Sequence, residues 1–411
     1  MSDNLPQLSK SITEDLHNES MWDWDFLPPE ILIQSLSLLP IKTLITCTSV
    51  SKTWKSLIQN PTFISTHLNR SKNNHLFLFR LCSKQLSEAT RCNRRAPAEK
   101  ELYKLFWDNN EDFNERTNFD FPFHGESVNG IFNVIGTCNG LVCLADNISR
   151  YAYKFILWNP CLRKFVRLPR PNVTFRTHFG YDAKTGFGFD TKTNDYKVAR
   201  FVTPEWEGLL GKAPPEVEVY SLATGEWRIV TALAPIGAPL DQERQTFFNG
   251  ALHWVAVREL PSYEMIYFIM VLDLGDEVLR EIALPKLSEE DDYLGRQSLS
   301  AYGNSLALFN ETDKHSLNIW VMKEYGVESS WTKVCTYAVS GFGYCAAAPR
   351  GIAFRRSGEV ILENLKEQLF SCDLESQKSK DLGITGYGYT FADSYVESLV
   401  LLDKPNRAVT Y

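Results

Sequence analysis

Apolar residues change their spacing near residue 65 of this chain. Before that point they fall at helical intervals. Ile31, Leu32, Leu36 and Leu39 form one run, and Leu44, Ile45 and Thr48 share a face of a second, with Cys47 and Val50 beside it. Trp54, Leu57 and Ile58 stand at i, i+3 and i+4 in a third. Prolines punctuate the runs. Pro28 and Pro29 sit where a first turn tolerates a missing N–H, and Glu30 follows where a carboxylate favours the positive end of the helix dipole. Pro40 stops the first run and Asn60-Pro61 closes the third. The pattern predicts three short helices between Phe26 and Phe63. So small a unit does not bury its own apolar surface, so it either docks on the rest of the chain or forms half of an interface.

Beyond residue 67 the helical pattern gives way to short alternating or wholly apolar runs broken by Gly, Asn, Asp and Pro, an all-β signature. The runs repeat. Asn249-Gly250, Gly303-Asn304 and Ser357-Gly358 each precede an apolar strand, at steps of 54 residues. Asn139-Gly140 lies a double step of 110 before Asn249, with Asn194-Asp195 at its midpoint. Each unit contains a second run (FILWNP, EVEVYSL, IMVLDLG, LNIWVMK, QLFSCDL) and a third after a further turn. A fourth patch ends it, such as GFGFD near Phe189 or ESLVLL near Leu401. Four strands per period of this length predict β-propeller blades, none able to bury both faces alone. Five units start at 139, and LFLFR, LYKLFW and IFNVIG upstream supply a sixth. The expected fold is therefore mostly β with a small α module: three helices, then a propeller-like domain of about six blades. Seven blades and an open two-sheet sandwich are the alternatives. A closed ring places the first and last strands in one blade, with the C-terminal YVESLVLL as the closing strand. Trp158, Trp227, Trp254, Trp320 and Trp331 are expected to pack between blades.

Composition narrows the classes. With 411 residues, 44% apolar, and a net charge of -7, the chain is globular and carries no broad nucleic-acid footprint. The basic cluster Arg91, Arg94 and Arg95 reads as a solvated loop. No apolar run reaches the length of a membrane span. Residues 1–22 are polar and acidic, unlike a signal or transit peptide, and read as a disordered lead-in. Nine cysteines include no C-x-x-C pair, and Cys138 and Cys143 have no histidine placed to complete a metal site. Free buried thiols, no metal, no cofactor and a cytoplasmic or nuclear location are the expectations.

The N-terminal residues carry a resemblance. Leu27-Pro28-x-Glu30-Ile31, then Leu39-Pro40-x-Lys42-x-Leu44, Val50-Ser51-Lys52-x-Trp54-x-x-Leu57-Ile58 and Pro61-x-Phe63 resemble an F-box, assigned to residues 23–66. F-boxes bind a Skp-type adaptor and through it a cullin. The resemblance implies an adaptor surface drawn from Leu27, Pro28, Ile31, Leu36, Leu39, Pro40, Leu44, Cys47, Val50, Trp54, Leu57 and Ile58. Ile45-Thr46-Cys47-Thr48-Ser49 is more hydroxylated than the Arg- and Phe-bearing versions of the family, which implies lower adaptor affinity or a shifted preference among adaptor paralogues.

Residues 67–411 lack the Gly-Gly pairs of kelch repeats, and no Trp-Asp dipeptides are expected at strand ends. Trp158-Asn159-Pro160 with Leu168-Pro169, Gly186-Phe-Gly-Phe-Asp190 with Asp195-Tyr-Lys-Val198, and Gly250 with His253-Trp254 resemble the F-box-associated interaction domain of plants. The two resemblances together imply a substrate receptor of a Skp–cullin–F-box ubiquitin ligase, non-catalytic, holding a target protein of unknown identity. Trp206, in the Pro/Gly-rich loop from Thr203 to Pro215, is the candidate target-binding residue, and the acidic run SEEDDY at 288–293 is a second candidate loop. The alternatives are an interaction scaffold without ligase function and, third, a propeller hydrolase. No G-x-S-x-G elbow or phosphate loop occurs, and His253, between Leu252 and Trp254, reads as a core histidine.

Overall fold

A computed structural model describes residues 28–72, 75–83, 100–109, 113–127, 132–146, 152–178, 181–204, 215–230, 237–240, 244–287, 295–312, 316–338, 348–386, 390–404 and 409–410. The chain divides into two compact units, Met1–Arg70 and Ser71–Tyr411.

The first unit is helical. Its described helices are α1 (Pro29–Leu36), α2 (Ile41–Cys47), α3 (Lys52–Ile58) and α4 (Pro61–Ser71). The fourth was not expected. Asn60-Pro61 ends α3 but also begins α4: Pro61 takes the first position, and Asn60 Oδ1 accepts the Thr62 N–H at 2.8 Å. Ser51 caps α3 in the same way, accepting from the Trp54 N–H at 3.1 Å.

The second unit is a six-bladed β-propeller. Blade 1 holds β4 (Asn133–Cys138), β5 (Leu141–Ala145), β6 (Phe155–Asn159) and β7 (Lys164–Arg167). Blade 2 holds β8 (Tyr181–Asp190), β9 (Asp195–Pro204), β10 (Glu216–Ser221) and β11 (Glu226–Val230). In blade 3 the inner edge is split between β12 (Ala238–Pro239) and β13 (Thr246–Phe248), followed by β14 (Ala251–Glu259), β15 (Met265–Asp273) and β16 (Leu279–Ala283). Blade 4 is β17 (Gln297–Tyr302), β18 (Ser305–Glu311), β19 (Ser316–Met322) and β20 (Trp331–Ala338). Blade 5 is β21 (Arg350–Phe354), β22 (Val360–Glu363), β23 (Gln368–Cys372) and β24 (Ser379–Thr385). Blade 6 joins the two ends of the unit: β25 (Phe391–Tyr395) is innermost, then β1 (Leu76–Ser83), β2 (Lys100–Trp107) and β3 (Glu115–Phe119). The inner strands β4, β8, β13, β17, β21 and β25 touch in that order and β25 returns to β4, closing the ring.

All five turn signals mark real hairpins, but the predicted units are displaced by one strand. Each turn joins a blade's inner strand to its second strand, so the blade opens before the turn. The patch GFGFD is the end of β8 and IFNVIG leads into β4, both inner strands of the following blade. Asn139-Gly140 and Asn249-Gly250 have φ of 49° and 82°, and 50° and 74°, the two left-handed residues that a tight hairpin needs. Inner strands are poorly marked because glycine interrupts their alternation. A Cβ on Gly186 would lie 2.5 Å from the Trp254 ring, and one on Gly188 2.4 Å from Phe247, so these glycines seat the aromatics of the next blade. Trp158 packs edge-on against Tyr103 of blade 6 at 5.0 Å, and Trp254 against Phe201 of blade 2 at 4.6 Å. Trp227 meets Phe155 of blade 1 at 5.2 Å, and the Trp331 indole donates to the Ala283 carbonyl of blade 3. Trp320 joins the cluster shared by blades 3 and 4. One sequence statement needs correcting: Trp107-Asp108 does stand at the end of β2, where the Asp108 carboxylate accepts from Arg355 Nε at 3.0 Å.

The closing strand is Phe391–Tyr395, so YVESLVLL contributes only its first residue. Residues 396–402 leave the sheet and bury Leu399 and Leu401. Asn159, fully buried, fastens them: its Nδ2 donates to the carbonyls of Ser398 (3.0 Å) and Val400 (2.8 Å) while its Oδ1 accepts from Cys161 and Leu162 N–H. Asn159→Ala leaves those buried groups unpaired, and unfolding in urea is expected to show a loss of about 2–4 kcal/mol. A loss below about 0.5 kcal/mol would mean the segment is held by its apolar residues alone.

Candidate interaction sites

The helical unit separates the predicted adaptor residues into two groups. Leu36, Leu44 and Ile58 are buried, alongside Leu32, Ile41, Phe63 and Ile64, and support the unit rather than face outward. Ile31 is 47% exposed and Val50 65%, and Pro28 and Pro40 are also exposed. Leu39, Cys47, Trp54 and Leu57 are half-buried, and Leu27 lies outside the described residues. Leu38, absent from the prediction, is 73% exposed. It lies two residues beyond the last residue of α1 and is not among the residues the F-box resemblance implies. Burying such side chains against a partner is favourable. The hydroxyl-rich stretch is turned inward on its own backbone: Thr48 Oγ1 donates to Ile45 O at 2.6 Å and Thr46 Oγ1 to Lys42 O at 3.2 Å. The His67 ring nitrogen Nε2 meets Leu39 O at 3.1 Å, tying α4 to the end of α1.

In the propeller, the candidate target residue Trp206, the run SEEDDY and the cluster Arg91, Arg94 and Arg95 lie outside the described residues. What the sequence did not disclose is how the crossovers between blades are held. Arg80 on β1 pairs with Glu101 on β2 at 3.3 Å, both buried. Together they grip one residue of the crossover to blade 1, Glu101 Oε1 accepting from Phe132 N at 2.8 Å and Arg80 Nη2 donating to Phe132 O. Arg200 on β9 and Glu218 on β10 pair at 2.7 Å, also fully buried. Glu218 Oε1 accepts from Val173 N at 3.0 Å and Arg200 Nη1 donates to Val173 O at 2.8 Å. The second and third strands of two blades thus use the same charged pair for the same task. The only sequence signal is a charged residue inside an otherwise apolar strand.

The ring encloses a cavity of about 510 Å³. Burial pushes the Cys138 thiol on its wall up to about 12, so it is not a ready nucleophile. Burial also pushes the Asp393 carboxyl up to about 6, against donors from Ser394 N at 2.7 Å and Thr137 Oγ1 at 3.1 Å. His253 is wholly buried in a hydrogen-bonded relay. Arg280 donates to the Tyr325 hydroxyl, which lies 2.7 Å from His253 Nε2, while Nδ1 faces Thr246 O at 3.2 Å. This is the core histidine that the strand pattern implied. No group of three or more metal-ligating side chains occurs among the described residues.

Family comparison adds two matches: an F-box domain over residues 24–66 and an F-box associated beta propeller domain over residues 102–407. Among similar proteins, the F-box protein CPR1 of Arabidopsis thaliana is 28% identical over 91% of this chain and 89% of its own length. The Arabidopsis thaliana F-box protein At3g07870 is 26% identical over 87% of each chain. The F-box/kelch-repeat protein At3g23880 of the same plant is 24% identical over 75% of this chain and 78% of its own.

Burial holds the His253 ring uncharged, lowering its pKa from 6.5 to about 4. Between those values the unfolded chain binds the extra proton, so the stability His253 contributes is complete above pH 6.5 and is lost as pH falls toward 4. The full effect is about 3 kcal/mol. Urea midpoints at pH 7.5 and 5 are expected to differ more for wild type than for His253→Gln. Parallel profiles would refute this assignment.

Proposed function

We propose that this chain, which belongs to the family with an F-box associated beta propeller domain and carries an F-box, is the substrate receptor of a Skp–cullin–F-box ubiquitin ligase. The observation that carries the proposal is the helical unit. It matches an F-box and keeps Ile31, Leu38 and Val50 at the surface although it already buries seven other large apolar residues, from Leu32 to Ile64. An apolar surface on a rigid unit supports docking on an apolar partner face, the role a Skp-type adaptor takes for an F-box.

The propeller then presents a target protein. Catalysis in such an arrangement is proximity: the receptor raises the local concentration of target lysines near a charged conjugating enzyme and supplies no reacting group. Trp206 remains the proposed target contact in the connection between β9 and β10, and the working compartment is proposed as cytoplasm or nucleus.

Titration of purified adaptor into the full chain tests the reading. Ile31→Asp with Val50→Asp is expected to weaken binding about 100-fold, since each places a charge in a desolvated apolar contact. Exposed as both positions are, unfolding in urea should shift by less than about 0.5 kcal/mol. Leu44→Asp, at a fully buried site, is expected instead to unfold the helical unit. A folded wild-type chain that does not bind adaptor would refute the receptor reading and leave the scaffold reading. Target capture that survives Trp206→Ala unchanged would remove Trp206 from the contact surface.

A further inference from the structure

Lys72, His75 and Arg356 all line the ring cavity. Arg356, exposed at the turn after β21, donates from Nη1 to His75 Nδ1 at 2.7 Å, and its backbone N–H donates to Asp108 Oδ2 at 2.9 Å. Asp108 N–H in turn donates to His75 O at 2.8 Å, fixing the three residues together. A guanidinium only donates, so His75 Nδ1 is the acceptor and its Nε2 carries the proton. Asp108 spends its other oxygen on Arg355 Nε, and Arg355 also pairs with Glu359. Among the described residues, neither Arg356 nor Lys72 has a carboxylate partner. Lys72 lines the same cavity, and its charge is felt by the Cys138 thiol on the wall. The mouth therefore offers an ammonium, a guanidinium fork and an imidazole N–H, all donors.

The walls are of different character. Phe247 and Ile352 line them and are half-buried, and the volume is within the range of small-molecule sites. The Asp393 carboxyl, held by Thr137 and Ser394, also faces the cavity and opposes an anion there. Arg244 lines the cavity as well, but it stacks on Phe391, donates to Thr390 O and favours the neighbouring Asp393 carboxylate, so the oxyanion has its place at the mouth and an uncharged body follows it inward. We propose that this cavity binds a small organic acid whose carboxylate or phosphate is held by Lys72, Arg356 and His75 and whose apolar body lies against Phe247 and Ile352.

Calorimetric titration of the full chain with benzoate, phenyl phosphate, benzamide and inorganic phosphate tests this. One or both aryl acids should bind saturably, and which binds more tightly identifies the oxyanion. Benzamide, isosteric but neutral, and inorganic phosphate, charged but without a body, should each bind at least about 10-fold more weakly. Lys72→Gln with Arg356→Gln should weaken the aryl acid about 10-fold or more, whereas Asp393→Asn should tighten it about 3-fold. Opposite signs from two sides of one cavity are not produced by a general loss of structure. Benzamide binding as well as benzoate, inorganic phosphate binding as well as phenyl phosphate, an unaffected double variant, or no saturable binding to the folded chain would each overturn the proposal. These titrations read the propeller alone, so their failure leaves the receptor reading untouched, and loss of adaptor binding leaves this one untouched.

Discussion

The propeller rests on the backbone pairing of residues 76–80 with residues 391–395. Six sheets arranged in a ring protect their short inner edges against one another only if every blade has its inner strand, and here that of blade 6 comes from the far end of the chain. Without β25, the inner edge of blade 6 would present unpaired N–H and C=O groups, and β21 and β4 would lose the neighbour they share. The bond between the ends is reinforced beyond the strand. Tyr395 donates its hydroxyl to Gly140 O at 3.0 Å, Asn159 grips the segment that follows, and β26 (Val409–Thr410) adds a last strand outside β7. Pairing across more than 300 residues of sequence carries a large loop-closure cost, so this step is expected late in folding.

What closure produces is a frame. Aromatic side chains from blade 3 sit on glycines of the preceding inner strand, and the buried Arg80–Glu101 and Arg200–Glu218 pairs each hold one crossover residue by both its N–H and its C=O. Removing one member of such a pair leaves a buried charge, a cost well above that of losing a surface ion pair. The F-box lies in a separate compact unit from the propeller.

Much of this was legible in the residues, and the misses have physical causes. The turns were visible because a tight hairpin demands left-handed backbone, and Asn-Gly supplies it at 139–140 and 249–250. The inner strands were less visible because Gly186, Gly188 and Gly351 answer to the neighbouring blade and not to local alternation. The unit boundary was accordingly placed one strand late. α4 was missed because Asn60-Pro61 stops one helix and starts another with the same two residues. In the F-box, the family resemblance grouped Leu36, Leu44 and Ile58 with Ile31 and Val50, since a motif marks apolar positions without saying whether a core or a partner covers them. The charged pairs and the cavity mouth assemble residues from distant parts of the chain, His75 with Arg356 above all, and no local pattern announces them.

The most direct test of the receptor account is ubiquitin transfer onto the chain itself in a reconstituted mixture of activating enzyme, conjugating enzyme, cullin with its RING subunit and Skp-type adaptor. The account predicts modification of the wild-type chain that requires the adaptor and disappears with Ile31→Asp and Val50→Asp. Modification that proceeds without adaptor, or a folded wild-type chain that is never modified, would contradict it.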